Sequence, residues 1–368
     1  NFRLVWERST LRRHSPDGPH LRDTQFDDVL FDRLNVKWSK VLGLPVTIQA
    51  GRQDLIYGDG WLIFEGTPLD GSRTIYFDAI KTTFDIKDSK SSLDWVVFSN
   101  PAESDHHIPP LANSNSNRIE HDEVGSFLYL KYRQMEDTDI DGYFIYNHRT
   151  QNDGGGDDAH LYVYGARVNH AFNDNLVLRA EAAQQLGWKN EQRLCAFGFN
   201  SRMTYFFRNE MDNQIRVMYE YLSGDDPDTG TDEQFDNLWG RWPQWSELIQ
   251  GWSSRYNGEF RPGELANFHR VGVGHTFKPV KPVELCLDYH ALFRDENTMR
   301  GNPGFSDNGC FRGQLVAALM RYTLLDPKEH MIGINGHTIA EFFFPGDYYS
   351  DEGNDPAVFL RYEIVFTW

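Results

Sequence analysis

The chain has 368 residues, 40% of them hydrophobic, with a mean hydropathy of −0.58 and a formal net charge of −18. No apolar run reaches the roughly 18 residues of a transmembrane helix, and an acidic total disfavours nucleic acid, whose phosphates need a basic surface. Neither exclusion touches a membrane β-barrel, where each lipid-facing residue alternates with a polar one.

Taken in chain order, Asn1-Phe2-Arg3-Leu4-Val5-Trp6 already reads as a strand, with no signal peptide before it. The sequence is therefore expected to be mature or short of its beginning. Strand-like segments fall at 1–9, 27–38, 45–57, 74–86, 92–99, 124–135, 141–150, 159–172, 175–188, 192–207, 213–223, 267–278, 282–294, 311–323, 330–344 and 357–368. These predict about sixteen strands of the length a tilted membrane strand needs. Only residues 245–252 suggest a helical stretch.

The alternation defines two faces. Over 283–294, Val283, Leu285, Leu287, Tyr289, Ala291 and Phe293 alternate with Glu284, Asp288, His290 and Arg294. In the last segment Val358, Leu360, Tyr362, Ile364, Phe366 and Trp368 alternate with a set containing Arg361, Glu363 and Thr367. A charge on a lipid face costs about 2–4 kcal/mol at the bilayer midplane, so the polar set is expected inward. Short connections (39–44, 87–91, 136–139, 173–175, 209–212, 279–282, 326–329) alternate with long ones (10–26, 58–73, 100–123, 224–266, 295–310, 345–356). The fold class predicted is all-β, a transmembrane antiparallel up-and-down barrel occupying 1–368 as one domain. Its long 224–266 loop is extracellular, and both termini lie at the short-turn, periplasmic rim.

By phase, the residues lining the lumen are Arg33, Lys37, Lys81, Lys131, Arg133, Arg167, Arg179, Arg202, Arg216, Arg270, Arg294, Arg312 and Arg361, among fewer acids: Glu181, Glu220, Glu284, Asp288 and Glu363. A cationic wall of this kind concentrates anions. The plainer reading is that the arginines pair with lumen acids and stiffen the wall. Asp288, His290 and Glu284 suggest a triad or a metal site, but no serine element accompanies them. A neutral histidine bonded to an acid on an adjacent strand is the simpler expectation. His106-His107 lies in a loop. Asp225-Asp226-Pro227-Asp228 with Asp232 and Glu233 has a calcium-site composition without the EF-hand spacing, and a solvated acidic loop is the simpler expectation. Cys195, Cys286 and Cys310 form neither a disulfide framework nor a metal motif, and the first two are read as packing residues. No catalytic residue, metal or cofactor is implied.

Three sequence patterns carry a resemblance. Gly51-Arg52-Gln53 is followed by Tyr57-Gly58-Asp59-Gly60. Tyr221-Leu222-Ser223-Gly224-Asp225-Asp226-Pro227 precedes Glu233-Gln234-Phe235-Asp236-Asn237-Leu238, and Phe342-Phe343-Phe344-Pro345-Gly346-Asp347-Tyr348 ends a late strand. In this order they resemble the alginate export family of outer-membrane proteins. The resemblance implies a monomeric, electropositive pore passing an anionic polysaccharide, eighteen-stranded in full and lacking its first two strands here. It implies no enzymatic step and adds Arg52 to the lumen set. Ile48 and Ala50 look outward and would carry Arg52 with them, so a bulge near Gly51 is predicted. Gly313-Gln314-Leu315-Val316-Ala317-Ala318 departs from the family, which tends to place an acid after that glycine.

The expected partners are anionic polysaccharide or small anions, outer-membrane lipid and lipopolysaccharide, and periplasmic secretion proteins. The 224–266 loop, with Trp239, Trp242, Trp245 and Trp252, is a candidate lid or sugar-stacking constriction, or else a surface loop whose tryptophans pack together. A general anion porin, a scaffold barrel sheathing a partner protein and a soluble β enzyme are the rival readings.

Overall fold

The structure, a computed structural model, describes residues 1–11, 24–64, 76–87, 89–103, 107–111, 119, 121–152, 156–240, 245–249, 265–326, 331–350 and 355–368. Among them are seventeen strands: β1 (Phe2–Leu11), β2 (Thr24–Ser39), β3 (Val46–Gln53), β4 (Phe77–Asp85), β5 (Ser92–Asn100), β6 (His121–Met135), β7 (Thr138–Gln151), β8 (Ala159–Ala171), β9 (Leu176–Lys189), β10 (Gln192–Phe206), β11 (Gln214–Leu222), β12 (Thr231–Asp232), β13 (Phe268–Val280), β14 (Val283–Arg294), β15 (Phe311–Leu325), β16 (Gly333–Pro345) and β17 (Ala357–Thr367). All but the two-residue β12 coincide with a segment predicted from periodicity.

The chain divides into two compact units. One comprises residues 1–130, 145–161 and 189–191; the other comprises 131–144, 162–188 and 192–368. In the first, β1 through β5 pair antiparallel in sequence order. The register shifts between Arg3 and Leu4, opposite Asp32, and beyond it the buried parity passes from Leu30 and Asp32 to Asn35. In the second, β10, β11, β13, β14, β15, β16 and β17 form an antiparallel succession, each beside the next. Short β12 lies parallel to β10, with Arg193 opposite Thr231.

Within each unit the usual arrangement of a soluble sheet is inverted. Along β7 the buried side chains are Asp141, Tyr143, Ile145, Asn147 and Arg149. Along β11 Ile215 and Val217 are exposed and Glu220 is buried; along β17 Val358, Leu360, Tyr362, Ile364 and Phe366 are all exposed. Strand-long apolar rows left in water lose about 25 cal/mol for every Å² that could have been buried. Lipid removes that cost, and it also explains why the charges turn to the opposite face.

Three expectations need correction. The connection from β9 to β10 is short, although its place in the series called for a long loop. Asn190 and Glu191 turn the chain with φ of 47° and 68°, the left-handed pair of a tight hairpin. No inserted residue occurs at Gly51, because Leu34↔Arg52 and Asn35↔Gly51 follow each other without a slip. Instead Gly51 adopts φ 114°, and the strand rotates so that Arg52 and Gln53 are both buried. Cys195 is exposed on β10 and is not a packing residue, whereas Cys286 is buried.

Candidate functional site

In the first unit the polar face is organised around compensated cations. Arg52 donates to Asp78 through Nε at 2.8 Å and Nη2 at 3.0 Å, and through Nη1 to the Phe31 carbonyl at 2.9 Å. Its guanidinium carbon lies 3.7 Å from the centre of the Tyr76 ring. Arg33 pairs with Asp54, and Arg3 with Asp32 at 2.6 Å. Tyr57 donates to Asp94 at 2.9 Å and packs against Tyr129 with the rings tilted, while the Lys81 ammonium sits 5.9 Å above its ring. Burial, with Asp94 beside it, pushes the Tyr57 phenol well above its ordinary value, so it remains a donor. Further along, Glu123 takes His121 at 3.0 Å and lies 3.6 Å from Arg149, and Lys189 lies 3.3 Å from Asp157.

The second unit repeats the pattern. Asp141 receives Arg133 at 2.6 Å and Arg167 at 3.1 Å. Arg216 grips both oxygens of Asp288 at 2.6 and 2.7 Å, and Arg270 donates to Glu220 at 3.0 Å. Arg179 donates to Asn169, Arg294 to the Gly309 carbonyl, and Arg312 to the Asn267 carbonyl. Arg361 meets Glu247 at 3.1 Å. Lys131 and Arg202 are half-buried on their strands, and Lys37 is exposed near the end of β2.

Beside the residues named from phase, the buried acids Asp32, Asp94, Glu123, Asp141 and Glu341, half-buried Asp78, and the buried cations Arg149 and Lys189 were left out of the sequence reading. The period-two signal for most of them was present: Asp141 and Arg149 share one parity on β7, and Glu123 shares the parity of Lys131 and Arg133 on β6. Neither the triad weighed and set aside from the sequence nor the simpler histidine–acid contact expected in its place assembles. His290 faces Arg270 Nη1 at 3.3 Å and no acid, Asp288 holds Arg216, and Glu284 holds Arg321 at 2.7 Å.

The connection between β11 and β13 packs on this polar face of the second unit. Gln185 on β9 exchanges hydrogen bonds with the Asp236 backbone at 2.6 and 2.8 Å. The Phe235 ring fills the space left by Gly198 on β10, where any Cβ would collide with it. Trp239 is buried, and Trp245 rests 4.7 Å from the Arg270 guanidinium, donating to Glu220 at 3.1 Å. Trp245 is thus committed to Arg270 and Glu220, while Trp242 and Trp252 lie outside the described residues. Of the predicted helical stretch 245–252, residues 248–249 are helical, and 250–252 lie outside the described residues. The acidic run turns inward on its own backbone: Asp225 accepts from Glu233 N–H at 3.2 Å and Asp226 from Asp228 N–H at 2.9 Å. Among the described residues no group of three or more ligating side chains is poised for a metal. His107 contacts Ser99 at 3.2 Å, and His106 lies outside the described residues.

Residues 8–308 match the alginate export family. No curated protein matches the chain. Among solved structures, Pseudomonas aeruginosa OccK11 (OpdR) superposes with a TM-score of 0.54 at 12% identity, over 94% of this chain and 82% of that one. The outer membrane protein OprD of the same organism gives 0.53 at 9% identity, over 94% and 80%. OpdO, also from P. aeruginosa, gives 0.53 at 13%, over 93% and 84%. At these identities the likeness shows the fold, that of an outer-membrane β-barrel.

Proposed function

This chain belongs to the alginate export family, and from that premise we propose that it is an outer-membrane channel conducting anionic polysaccharide, or other anions, along an arginine-bearing wall. The observation that carries the reading is the inversion of its sheets. Apolar rows such as Ile215 and Val217 face out, while Arg216, Glu220 and Arg270 occupy the other face. Such a protein is stable in lipid and presents charge to water on its inner side.

Arginines held by carboxylates suit conduction better than capture. Each guanidinium already has a partner of the type the cargo carries, so a passing carboxylate exchanges with an existing bond and no deep well forms. Lys37, Lys131, Arg179, Arg202 and Arg294 extend the wall. In this orientation the short turns after β2, β4, β6, β8 and β13 are periplasmic, and Asn1 and Trp368 lie on that side. The barrel acts as a monomer, without a cofactor, and performs passage and no catalysis.

The close pairing of Arg216 with Asp288 and of Arg270 with Glu220 also favours a second reading, a general anion channel with no preference for polymers. Single-channel conductance of the full-length protein in a planar bilayer separates the two. Anion-selective current blocked by polymannuronate supports polysaccharide passage. Current indifferent to the polymer supports the general channel, and absence of current rejects both.

A further inference from the structure

Residues 245–249 form a strap on the polar face of the second unit, seated by the packing of Trp245 on Phe268 and the burial of Ile249, and fastened by polar and ionic ties. Trp245 bonds Glu220 on β11 and covers Arg270 on β13. Ser246 Oγ, the Glu247 N–H and the Leu248 N–H converge on the Glu341 carboxylate of β16 at 2.6, 3.0 and 2.9 Å. The Glu247 carboxylate then reaches β17, where it takes Arg361 Nη1 at 3.1 Å; the two side chains are 14% and 17% exposed.

That last tie is incomplete. Arg361 spends Nε on His337 at 3.3 Å and Nη1 on Glu247, while its buried Nη2 has no hydrogen-bond partner. A guanidinium fork is shaped to take both oxygens of one carboxylate. Glu247, tethered by the backbone bonds that fasten the strap to Glu341, meets Nη1 and leaves Nη2 unfilled. A buried donor left unmade favours any ligand able to fill it.

We propose that Arg361 is a carboxylate-binding site for a uronate-class sugar, and that Glu247 is its intrachain stand-in. A uronate carboxylate entering the fork displaces Glu247 and loosens the strap from β17, so the ligand admits itself. This rests on the reading of the chain as a channel for anionic polymer, but the site binds a single uronate residue and is tested with one.

The test uses the full-length protein in a planar bilayer, titrated with monomeric glucuronate and separately with polymannuronate, in wild type, E247Q, R361Q and the swapped pair E247R/R361E. Removing the resident competitor in E247Q lowers the glucuronate concentration for half-effect on chloride current by at least about tenfold, the scale of a lost charged hydrogen bond. R361Q raises that concentration by a similar factor. The swapped pair restores the wild-type current while abolishing the response to glucuronate, which a merely misfolded variant would not do. Equal glucuronate responses in wild type, E247Q and R361Q overturn the inference. If glucuronate behaves as expected and polymannuronate has no effect on any variant, the export reading fails and the Arg361 site stands.

Discussion

Arg52 and Asp78 face each other across β3 and β4, joined at 2.8 Å, with the Arg52 side chain 1% and the Asp78 side chain 11% exposed. Removing one member of so buried a pair leaves a charge with no compensation, at about 3–5 kcal/mol. Asp78→Asn is therefore expected to lower the urea midpoint of the protein folded in lipid vesicles, followed by the heat-dependent shift in gel mobility. The double variant Arg52→Met/Asp78→Leu, which removes both charges, is expected to lose less than Asp78→Asn alone. A double variant weaker than the single one would show that packing on Tyr76, and not charge balance, holds this end of β3.

Gly51 supplies the rotation that buries Arg52. At φ 114° an L residue is strained, and a Cβ would collide with the Leu34 carbonyl oxygen on the neighbouring strand. Gly51→Ala is expected to destabilise by about 1–3 kcal/mol. Gly142→Ala, on β7 with nothing near its Cβ position, is expected to be neutral or slightly stabilising. Equal folding midpoints for the two variants would dismiss the conformational role assigned to Gly51.

These two sites mark how far the sequence could be read. Strand positions follow from a local, period-two pattern, and β2, β11 and β14 fall within three residues of their predicted bounds. Arg52 was reached through a motif, but its burial depends on a backbone angle that periodicity does not encode. Asp94 shares the buried parity of Val96 and Phe98 on β5, so phase offered it, whereas Asp78 has the parity of exposed Ile80, opposite to Lys81 on β4, and phase alone concealed it. Their partners are a different matter. Asp78 meets Arg52 through the register of β3 against β4, and Glu247 meets Arg361 because a long connection folds back onto β17. Neither relation is local, so neither leaves a signal in spacing.

The lipid face gives a sharper test of the inversion. Val217 is 57% exposed halfway along β11, opposite Val273 of β13 and Met203 of β10. Val217→Arg is expected to cost about 2–4 kcal/mol of folding free energy in vesicles, whereas Val217→Leu costs almost nothing. An arginine tolerated there without loss would mean that this face meets water or protein, and the membrane assignment of β11 would fall.

The acidic connection after β11 titrates within reach of experiment. Burial first, and the neighbouring charges of Asp232 and Glu233, push Asp225 up from 3.8 to about 6, against the Glu233 N–H bond that favours its ionised form. A carboxyl whose folded value lies above its unfolded one binds its proton more tightly when the loop is ordered. The ordered loop is thus favoured at low pH, loses stability as pH rises from about 4 to 6, and changes little above that. Amide exchange at Glu233, measured at several pH values and referred to the same amide in Asp225→Asn, should show protection in wild type falling across this interval. In the variant it should be flat, since the asparagine carbonyl accepts the same bond without titrating. Parallel pH profiles for wild type and Asp225→Asn would place the titration elsewhere in the acidic run.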